Sequence, residues 1–331
     1  MSEETEQIEL TEGLISGTSW PTMKKVVASG INTVGDLAYQ TPSQLAEQSG
    51  IGKDTCEKYI NKALELIDIG YITGAQLWEQ MKSHRKLTTG SKALDEILKG
   101  EFDEIGGIEE RTATEVSGGE GVGKTQLMHM LAINSQLPHE EGGLDGPVIW
   151  LDTENSFRPD RIIQICDARG YDSEKILQGI IYIEVFHSLH QKSIVTKLPK
   201  LCQDHNIKLI VVDSMMAHLR SEYPGRGMLA ERQHLLADVL QRLEKISRNH
   251  KITVIYTNQV MDRPTAYGNP EKPIGGHVMG HAATLRLHIR KARQQKRIIE
   301  VVKSPYLPER EAVFRVTEAG IEDVDGYDED A

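Results

Sequence analysis

The chain has 331 residues, of which 39% are hydrophobic and 26% are charged, and its formal net charge is −11. This composition is typical of a folded globular protein with room for one large and one small domain, and it excludes extended disorder. No apolar run in the sequence approaches the roughly 20 residues that a membrane span needs, so we expect none. The acidic segment MSEETEQIEL lacks the pattern of a secretory signal. We therefore expect an intracellular protein, whose three widely separated cysteines form neither a zinc motif nor a CxxC pair.

The negative charge is concentrated in two short segments. Residues 1–13 contain five Glu, residues 318–331 contain seven acidic side chains, and neither segment contains Lys or Arg. Without these 12 side chains, 37 acidic residues remain against 38 basic ones. The net charge therefore does not exclude binding to nucleic acid phosphates. We interpret residues 1–13 and 324–331 as solvated acidic tails, the alternative being a role in repelling non-specific DNA.

Residues 14–68 are predicted to form a small all-α domain, because apolar residues recur at helical spacing and Thr41-Pro42 is typical of a helix start. Gly50-Ile51-Gly52 lies between two predicted helices and resembles a helix-hairpin-helix. Its glycines would let main-chain N–H groups approach a phosphate, with Lys53 and Lys58 adding positive charge. A tight turn in a helical bundle is the alternative. The recurring apolar residues are Leu37, Leu45, Ile60, Leu64 and Ile67.

Residues 69–84 form a connector of mixed polarity, and residues 85–323 are predicted to form one α/β domain. Within that domain, apolar runs such as VIWLD, IIYIEV, KLIVVD and ITVIYTN alternate with helical stretches. Short apolar runs without alternating polarity are typical of buried parallel strands. The fold class predicted for this domain is therefore α/β, with a parallel sheet covered by helices.

The segment from Gly118 to Thr125 matches the GxxxxGK[ST] motif. It follows the apolar run ATEV and precedes the helical run QLMHMLAINSQL, and in this strand–loop–helix context the motif binds nucleotide phosphates. Lys124 is predicted to bind the β- and γ-phosphates and Thr125 to bind Mg²⁺, so the expected cofactors are ATP and Mg²⁺. The predicted phosphate-binding residues are Gly118, Gly119, Glu120, Gly121, Val122, Gly123, Lys124, Thr125 and Gln126.

Acidic residues end two of the predicted strands. Asp213 ends the run LIVVD and is predicted to bind Mg²⁺ through water. Asp152 and Glu154 follow the run VIWL, and Glu154 is the candidate for orienting and activating the attacking water. Ordinary solvated strand ends are the alternative for both positions.

Several segments occur in an order that is found in one family: TGSKALDEIL, GKTQLMHMLA, VIWLDTENSFRPDRI, LIVVDSMMAHLRSEYPGRGMLAERQ, TNQVMDRP, KPIGGHVMGHAATLRLHIRK and SPYLPEREAVFRVTEAGIED. Over roughly residues 14–323 the chain resembles the RadA/RecA-type recombinases, particularly their archaeal and eukaryotic branch. The resemblance implies a RecA-like P-loop ATPase core with an N-terminal helix-hairpin-helix domain. It also implies a helical filament on single-stranded DNA, which pairs and exchanges strands with homologous double-stranded DNA. Such a protein would be cytoplasmic and associated with the nucleoid, or nuclear in a eukaryote.

The resemblance also implies two DNA-binding loops, at about residues 220–227 and 262–276. Arginines there suit phosphate or stacking contacts, and glycines let the main chain follow a stretched strand. The cluster RLHIRKARQQKR at residues 286–297 is a further DNA-facing candidate, with one solvated face as its alternative. The DNA-binding residues implied are Arg220, Arg226, Arg232, Arg263, Gly275 and Gly276.

By the same resemblance, the ATPase site forms between adjacent protomers. Gln259 would sense the γ-phosphate and act with Lys124 and Glu154 in catalysis, while Arg158 would lie against the adenine. His281 would reach the γ-phosphate of the neighbouring protomer, and Pro308 would cap its nucleotide.

Four features depart from the family pattern. The P-loop interior is GEGV where relatives usually have EFGS, and the preceding segment GEFDEIGGIEERT is a few residues longer. In the polymerisation linker, residues 69–84, Tyr71 and Gly74 replace the Phe and Ala of a Phe-x-x-Ala oligomerisation motif. Lys303 stands where relatives have an Asp that holds a cation. Its ammonium is predicted to replace that cation at the triphosphate, and a solvent-exposed lysine is the alternative.

The sequence thus predicts a DNA-dependent ATPase that acts as a recombinase. A regulatory recombinase paralogue, which binds DNA and ATP without strand exchange, is the alternative. A ring helicase and a non-enzymatic DNA-binding scaffold are further alternatives, although KPIGGHVMGHAATLR and the helix-hairpin-helix pattern belong to the recombinase arrangement.

Overall fold

The computed structural model describes residues 8–67, 71–262 and 271–324, with the main chain alone at residues 261–262 and 271–273. The chain divides into two compact units. The described residues up to Ser83, together with residues 193–204, belong to the first unit, and the remainder belongs to the second.

The N-terminal part of the first unit is all α-helical, as predicted. Thr41 accepts a hydrogen bond from the main-chain N–H of Gln44, which confirms the predicted helix start. Leu64 is 45% exposed, however, because the buried face of its helix carries Cys56, Tyr59, Ile60 and Ala63. The helices are α1 (Trp20–Ala28), α2 (Val34–Ala38), α3 (Pro42–Ser49), α4 (Lys53–Leu66) and α5 (Gly74–Lys82).

The Gly-Ile-Gly segment connects α3 to α4. Gly50 ends α3 in the left-handed region with φ +67°, Ile51 is buried, and Gly52 is the N-cap of α4. The glycine-rich helix connection predicted from the sequence is therefore present.

The second unit is built on a mixed sheet that has ten strands in the described residues. Its order is β12-β11-β10-β9-β3-β7-β6-β4-β5, with β8 paired to β7. The strands from β9 to β5 along this order are parallel, and β9 to β12 and the β7–β8 pair are antiparallel. The strands are β3 (Ala113–Gly118), β4 (Val148–Asp152), β5 (Ile180–Glu184), β6 (Leu209–Asp213), β7 (Thr253–Asp262), β8 (Glu271–Pro273), β9 (Leu285–Lys291), β10 (Arg297–Lys303), β11 (Glu311–Thr317) and β12 (Gly320–Asp323).

Helices and a small ribbon complete this part of the chain. The ribbon pairs β1 (Lys86–Leu87) with β2 (Ile108–Glu109), and a 3₁₀ turn spans His139–Glu141. None of the helices in the described residues combines the length and apolarity needed to cross a bilayer. The helices are α6 (Lys92–Ile97), α7 (Lys124–Asn134), α8 (Pro159–Arg169), α9 (Ser173–Gln178), α10 (Ser188–His205), α11 (Ala217–Glu222), α12 (Leu229–Asn249) and α13 (Gly276–Ala282).

The predicted parallel strands are confirmed. Every residue of β3, β4 and β6 is buried, which explains their continuous apolar sequences. β5 is the edge strand, so its residues are half-buried or exposed. α7 is buried around its whole circumference from Leu127 to Asn134, and its helix therefore lies inside the core.

The strand register brings the ends of the central strands to one edge of the sheet. Gly118 at the end of β3 pairs with Gln259 of β7, and Asp152 of β4 pairs with Asp213 of β6. Ligands of open parallel sheets bind at the carboxyl ends of the strands. The polar residues predicted from the sequence are thus assembled at the edge where a ligand is expected.

Candidate ATPase site

The loop between β3 and α7 has the main-chain conformation that its glycines permit. Gly123 has φ +108° and is the N-cap of α7. At Gly118, with φ +155°, a Cβ would lie 2.3 Å from the carbonyl oxygen of Ile289, so the strand can pass β9 there only without a side chain. Val122, one of the unusual residues of this loop, is buried against the core. The altered interior is therefore accommodated by packing.

Lys124 is held at the base of the loop. Its ammonium Nζ donates hydrogen bonds to the carbonyl oxygens of Gly118 at 2.8 Å and Gly119 at 2.7 Å. The α7 N-terminus begins at the same residue, so the positive charge and the positive end of the helix dipole coincide. This arrangement fits an anionic phosphate chain.

Oxygen atoms gather where the sequence predicts the metal ion. Thr125 Oγ1 donates to Asp213 Oδ2 at 2.7 Å, and Ser156 Oγ donates to the same oxygen at 2.8 Å. Thr257 Oγ1 donates to Asp213 Oδ1. Asp213 is only 2% exposed, so its carboxylate is fixed by these hydroxyl groups. Hydroxyl and carboxylate oxygens are the ligands that Mg²⁺ prefers, and the donor set fits that ion.

A chain of hydrogen bonds runs from Ser214, which follows Asp213, toward α11. Ser214 Oγ donates to Glu154 Oε1 at 2.7 Å, and Gln259 Nε2 donates to the same carboxylate oxygen at 3.1 Å. Arg220 Nη1 in turn donates to Gln259 Oε1 at 3.2 Å. Gln259 therefore links Glu154 to the segment predicted as the first DNA-binding loop.

A cleft of about 310 Å³ lies at this edge of the sheet. The lining residues that the sequence predicts are Glu120, Gly121, Gly123, Lys124, Thr125, Gln126, Glu154, Asp213 and Gln259. Sequence reasoning missed Ser214, Thr257, Arg297 and Val316. Ser214 directly follows Asp213 and Thr257 lies two residues before Gln259, whereas Arg297 belongs to the basic cluster assigned to DNA. Val316 lies in the family segment SPYLPEREAVFRVTEAGIED, in which it was assigned no role.

Arg158 stands at the N-cap of α8, and its main-chain N–H donates to His129 Nε2 at 3.2 Å. His129 is fully buried and its ring stacks on Trp150 at 4.9 Å. Burial, with the nearby charge of Arg161 as a second cause, lowers the pKa of His129 to about 4. The neutral imidazole thus accepts the hydrogen bond that fixes the main chain at Arg158, a role that the sequence did not indicate.

Arg161 contacts Gln126, which lines the cleft. Its Nε donates to Gln126 Oε1 at 2.8 Å, its Nη2 donates to the carbonyl of Thr317, and its Nη1 donates to the carbonyl of Glu318 at 3.0 Å. The end of β11 is thereby tied to α7.

Three residues assigned to the interface between protomers lie outside the cleft lining. His281 and Pro308 are exposed. Lys303 Nζ donates to the carbonyl oxygens of Gly280 at 2.9 Å and Ala283 at 3.0 Å. Its ammonium therefore binds the C-terminal end of α13, a contact that neither sequence interpretation included.

The longer segment before β3 is fixed to the strand connection that carries Pro308. Lys86 Nζ forms an ion pair with Asp103 at 3.1 Å and donates to the hydroxyl of Tyr306 at 3.2 Å. Arg310 Nη1 donates to the carbonyl of Lys99 at 3.1 Å. These contacts join the region of the longer segment to the connection between β10 and β11, which carries Pro308.

The first predicted DNA-binding segment contains a helix. Arg220 lies in α11, Arg226 is exposed in the turn that follows, and Arg232 in α12 donates from Nη1 to the carbonyl of Tyr223 at 3.3 Å. These three arginines therefore lie in and beside one short connection.

The second predicted segment is only partly described, and Arg263 lies outside the described residues. Gly275 has φ +103° and caps α13, and Gly276, with φ +62°, is its first residue. β7 continues past Gln259 to Asp262, because it pairs there with β8.

A buried ion pair anchors the end of this segment that leads into α13. Glu115 has no exposed surface, and its Oε2 accepts from Arg286 Nε at 2.5 Å. Asn258 Nδ2 donates to Glu115 Oε1 at 2.7 Å and to the carbonyl of Ile274 at 2.7 Å. The main chain at Ile274 is thus held to the centre of the sheet.

The basic cluster at residues 286–297 makes several contacts within the chain. Besides the Glu115 ion pair, Arg290 Nη2 pairs with Glu311 at 2.9 Å and Arg297 Nε donates to the carbonyl of Val122 at 3.1 Å. Part of this cluster therefore faces the phosphate-binding loop.

The predicted oligomerisation residues are accessible. Tyr71 is 89% exposed, and a Cβ on Gly74 would meet no atom within 4 Å. Thr73 and Gln76 form a capping box that begins α5 at Gly74. Leu77, Trp78 and Met81 of α5 are each at least 40% exposed, so apolar side chains of this helix are partly accessible to solvent.

The fold and the site together define a P-loop nucleotide-binding protein of the parallel α/β class. A family model described as Rad51 matches residues 80–324. The chain is also 41% identical over 310 residues to the DNA repair and recombination protein RadA of Aeropyrum pernix, an alignment that covers 93% of this chain and 95% of that protein. The chain belongs to the Rad51 family, which confirms the resemblance found in the sequence.

Proposed function

We propose that this protein is an ATP-dependent DNA recombinase. It forms helical filaments on single-stranded DNA and catalyses homologous pairing and strand exchange in recombinational repair. The observation that carries this proposal is the chain of hydrogen bonds from Arg220 through Gln259 to Glu154. A nucleotide site and a DNA-binding segment that share one amide side chain can respond to each other.

In the proposed ATPase reaction, the loop amides and Lys124 hold the phosphate chain. Thr125 and Asp213 would hold Mg²⁺, which neutralises charge on the β- and γ-phosphates. Glu154 accepts a proton from a water molecule whose oxygen attacks the γ-phosphorus, and the β–γ phosphoanhydride breaks to release ADP and phosphate. No DNA bond is cut, and homology is tested by base pairing between the strands.

The DNA contacts are assigned to the segments beside Gln259. Arg220, Arg226 and Arg232 bind phosphates or stack on bases, and Arg263, Gly275 and Gly276 belong to the second loop. ATP orders these segments through Gln259, because the amide that contacts Arg220 also contacts Glu154. DNA affinity then rises with ATP and falls after hydrolysis.

Self-association completes the site. Tyr71 and Gly74 dock on the next protomer, and Pro308 and His281 act on its nucleotide, with Arg158 against the adenine. Lys303 serves as a built-in cation at this interface, since its ammonium holds the end of the helix that carries His281. The Gly50–Gly52 connection forms a helix-hairpin-helix on double-stranded DNA, and the protein works at the cytoplasmic nucleoid or in a nucleus.

Two substitutions and one assay test the proposal. Lys124→Ala is expected to abolish ATP binding and filament assembly, whereas Glu154→Gln keeps both while hydrolysis falls by ~10²–10⁴-fold. A D-loop assay with ATP and with a non-hydrolysable analogue measures strand exchange directly. If the protein binds ATP and single-stranded DNA but forms no D-loop, it is a regulatory paralogue and the recombinase assignment is wrong.

A further inference from the structure

Arg297 reaches from the first residue of β10 to the phosphate-binding loop. Its Nε donates to the carbonyl of Val122 at 3.1 Å, and its Nη1 donates to the carbonyls of Gln295 at 2.7 Å and Lys296 at 3.1 Å. These bonds fix the plane of the guanidinium. Its Nη2 makes no hydrogen bond with the described part of the chain, and the side chain lines the cleft.

The cleft has two chemically distinct ends. At the catalytic end, Asp213 binds Thr125, and Glu154 binds Gln259. The opposite end is bounded by Gln126, which Arg161 holds, and by Val316, whose Cγ2 would lie 3.4 Å from a Cβ on Gly123.

Arg297 belongs to the end opposite the catalytic groups. It pairs in register with Phe314, and Phe314 and Val316 lie on the same face of β11 because side chains alternate along a strand. A nucleotide with its γ-phosphate at the catalytic end therefore places its α-phosphate and ribose toward Arg297.

The cleft lining carries charges of both signs. Three acidic side chains line the cleft, namely Glu120, Glu154 and Asp213, and the lining cations in the described residues are Lys124 and Arg297. Lys124 Nζ sits on the first two carbonyls of the loop. Arg297 supplies the second fixed positive charge, and Lys291 adds another beside Gly121, where a Cβ would lie 3.4 Å from its Nζ.

We propose that Arg297 donates from Nη2 to the α-phosphate of the bound nucleotide while its Nε holds the loop at Val122. This inference rests on the proposed nucleotide site and adds a residue from the far end of the chain to it. An α-phosphate is present in ATP and ADP alike. The contact therefore contributes equally to the affinities for both, unlike Gln259 and Glu154 at the γ-phosphate end.

The test is calorimetric titration of ATP and ADP, in the presence of Mg²⁺, into the full-length protein and its variants. Arg297→Ala is expected to weaken the binding of both nucleotides by about 10- to 100-fold, which is the contribution of one hydrogen bond to a charged group. Arg297→Lys keeps the charge and is expected to retain part of the affinity. Arg248→Ala is the matched control, since it removes an arginine that is 75% exposed on α12.

Thermal melting without nucleotide shows whether each variant folds. If Arg297→Ala does not fold, the nucleotide affinities of Arg297→Lys provide the test. Unchanged ATP and ADP affinities would overturn the inference, and so would a loss confined to ATP. A fall in DNA affinity with intact nucleotide binding would place Arg297 on a DNA surface instead. If the wild-type protein binds nucleotides but exchanges no strands, the proposed function fails while the Arg297 assignment stands.

Discussion

Replacing Glu115 by Ala is expected to be one of the most destabilising single changes in the sheet. The substitution leaves the Arg286 guanidinium without its buried partner and removes one of the two acceptors of Asn258 Nδ2. Breaking a buried ion pair in this way costs about 3–5 kcal/mol of the free energy of unfolding. Arg286 is 18% exposed, so water partly solvates the abandoned charge and the lower value, about 3 kcal/mol, applies.

The same strand offers a control for this prediction. Arg290 of β9 pairs with Glu311 at 2.9 Å, but their side chains are 42% and 51% exposed. Exposed ion pairs contribute about 0–1 kcal/mol. Glu311→Ala is therefore expected to lower the free energy of unfolding by less than 1 kcal/mol.

Trp150 makes the comparison measurable in the unit that contains the sheet. Its side chain is fully buried in β4, whereas Trp20 and Trp78 belong to the other compact unit. In a background with both of these replaced by Phe, urea unfolding followed by tryptophan fluorescence reports on the sheet alone. Equal losses for Glu115→Ala and Glu311→Ala would refute the view that burial sets the strength of these pairs.

Three further outcomes are expected. Because the pKa of His129 in the folded protein is about 4, below the ordinary histidine value of 6.5, its contribution to stability is complete above pH 6.5 and is lost as the pH falls toward 4. At pH 5 the loss is about 2 kcal/mol, and urea unfolding of His129→Gln should lack this component. Tyr71→Ala should weaken self-association more than tenfold, since a buried aromatic anchor contributes at least ~2 kcal/mol. Sedimentation should then show smaller species for Tyr71→Ala, while Tyr71→Phe matches wild type. DNA-stimulated ATPase activity should be nearly equal in sodium and potassium at the same ionic strength, and Lys303→Asp should make it potassium-dependent; strong potassium activation of the unmodified protein would contradict the built-in cation.

The sequence predicted the contacts that follow from strand order. Asp213 ends an apolar strand and Thr125 opens the helix after the P-loop, and the carboxyl ends of parallel strands share an edge. Their hydrogen bond at 2.7 Å could therefore be expected from the motifs alone. The same reasoning accounts for the position of Glu154 after β4, whereas the role of Gln259 was implied by the resemblance to the recombinases.

Contacts that do not involve the carboxyl ends of the parallel strands could not be predicted in this way. Arg286 meets Glu115 across 171 residues, and Arg297 meets Val122 across 175. Both arginines lie in a basic run whose composition favoured an exposed surface, and only the β3–β9 and β9–β10 pairings turn them inward. Lys303 is a similar case, because the carbonyls that it binds become available only where α13 ends beside β10.

The shared amide of Gln259 has a thermodynamic consequence. Its oxygen accepts from Arg220 and its nitrogen donates to Glu154. One side chain therefore contacts both the proposed DNA-binding segment and the proposed nucleotide site. Under the proposed function, the factor by which ATP tightens DNA binding must equal the factor by which DNA tightens ATP binding, since both describe one coupling free energy. Gln259 is then the residue through which the binding equilibria of ATP and DNA are coupled, and it is not a detector of one ligand alone.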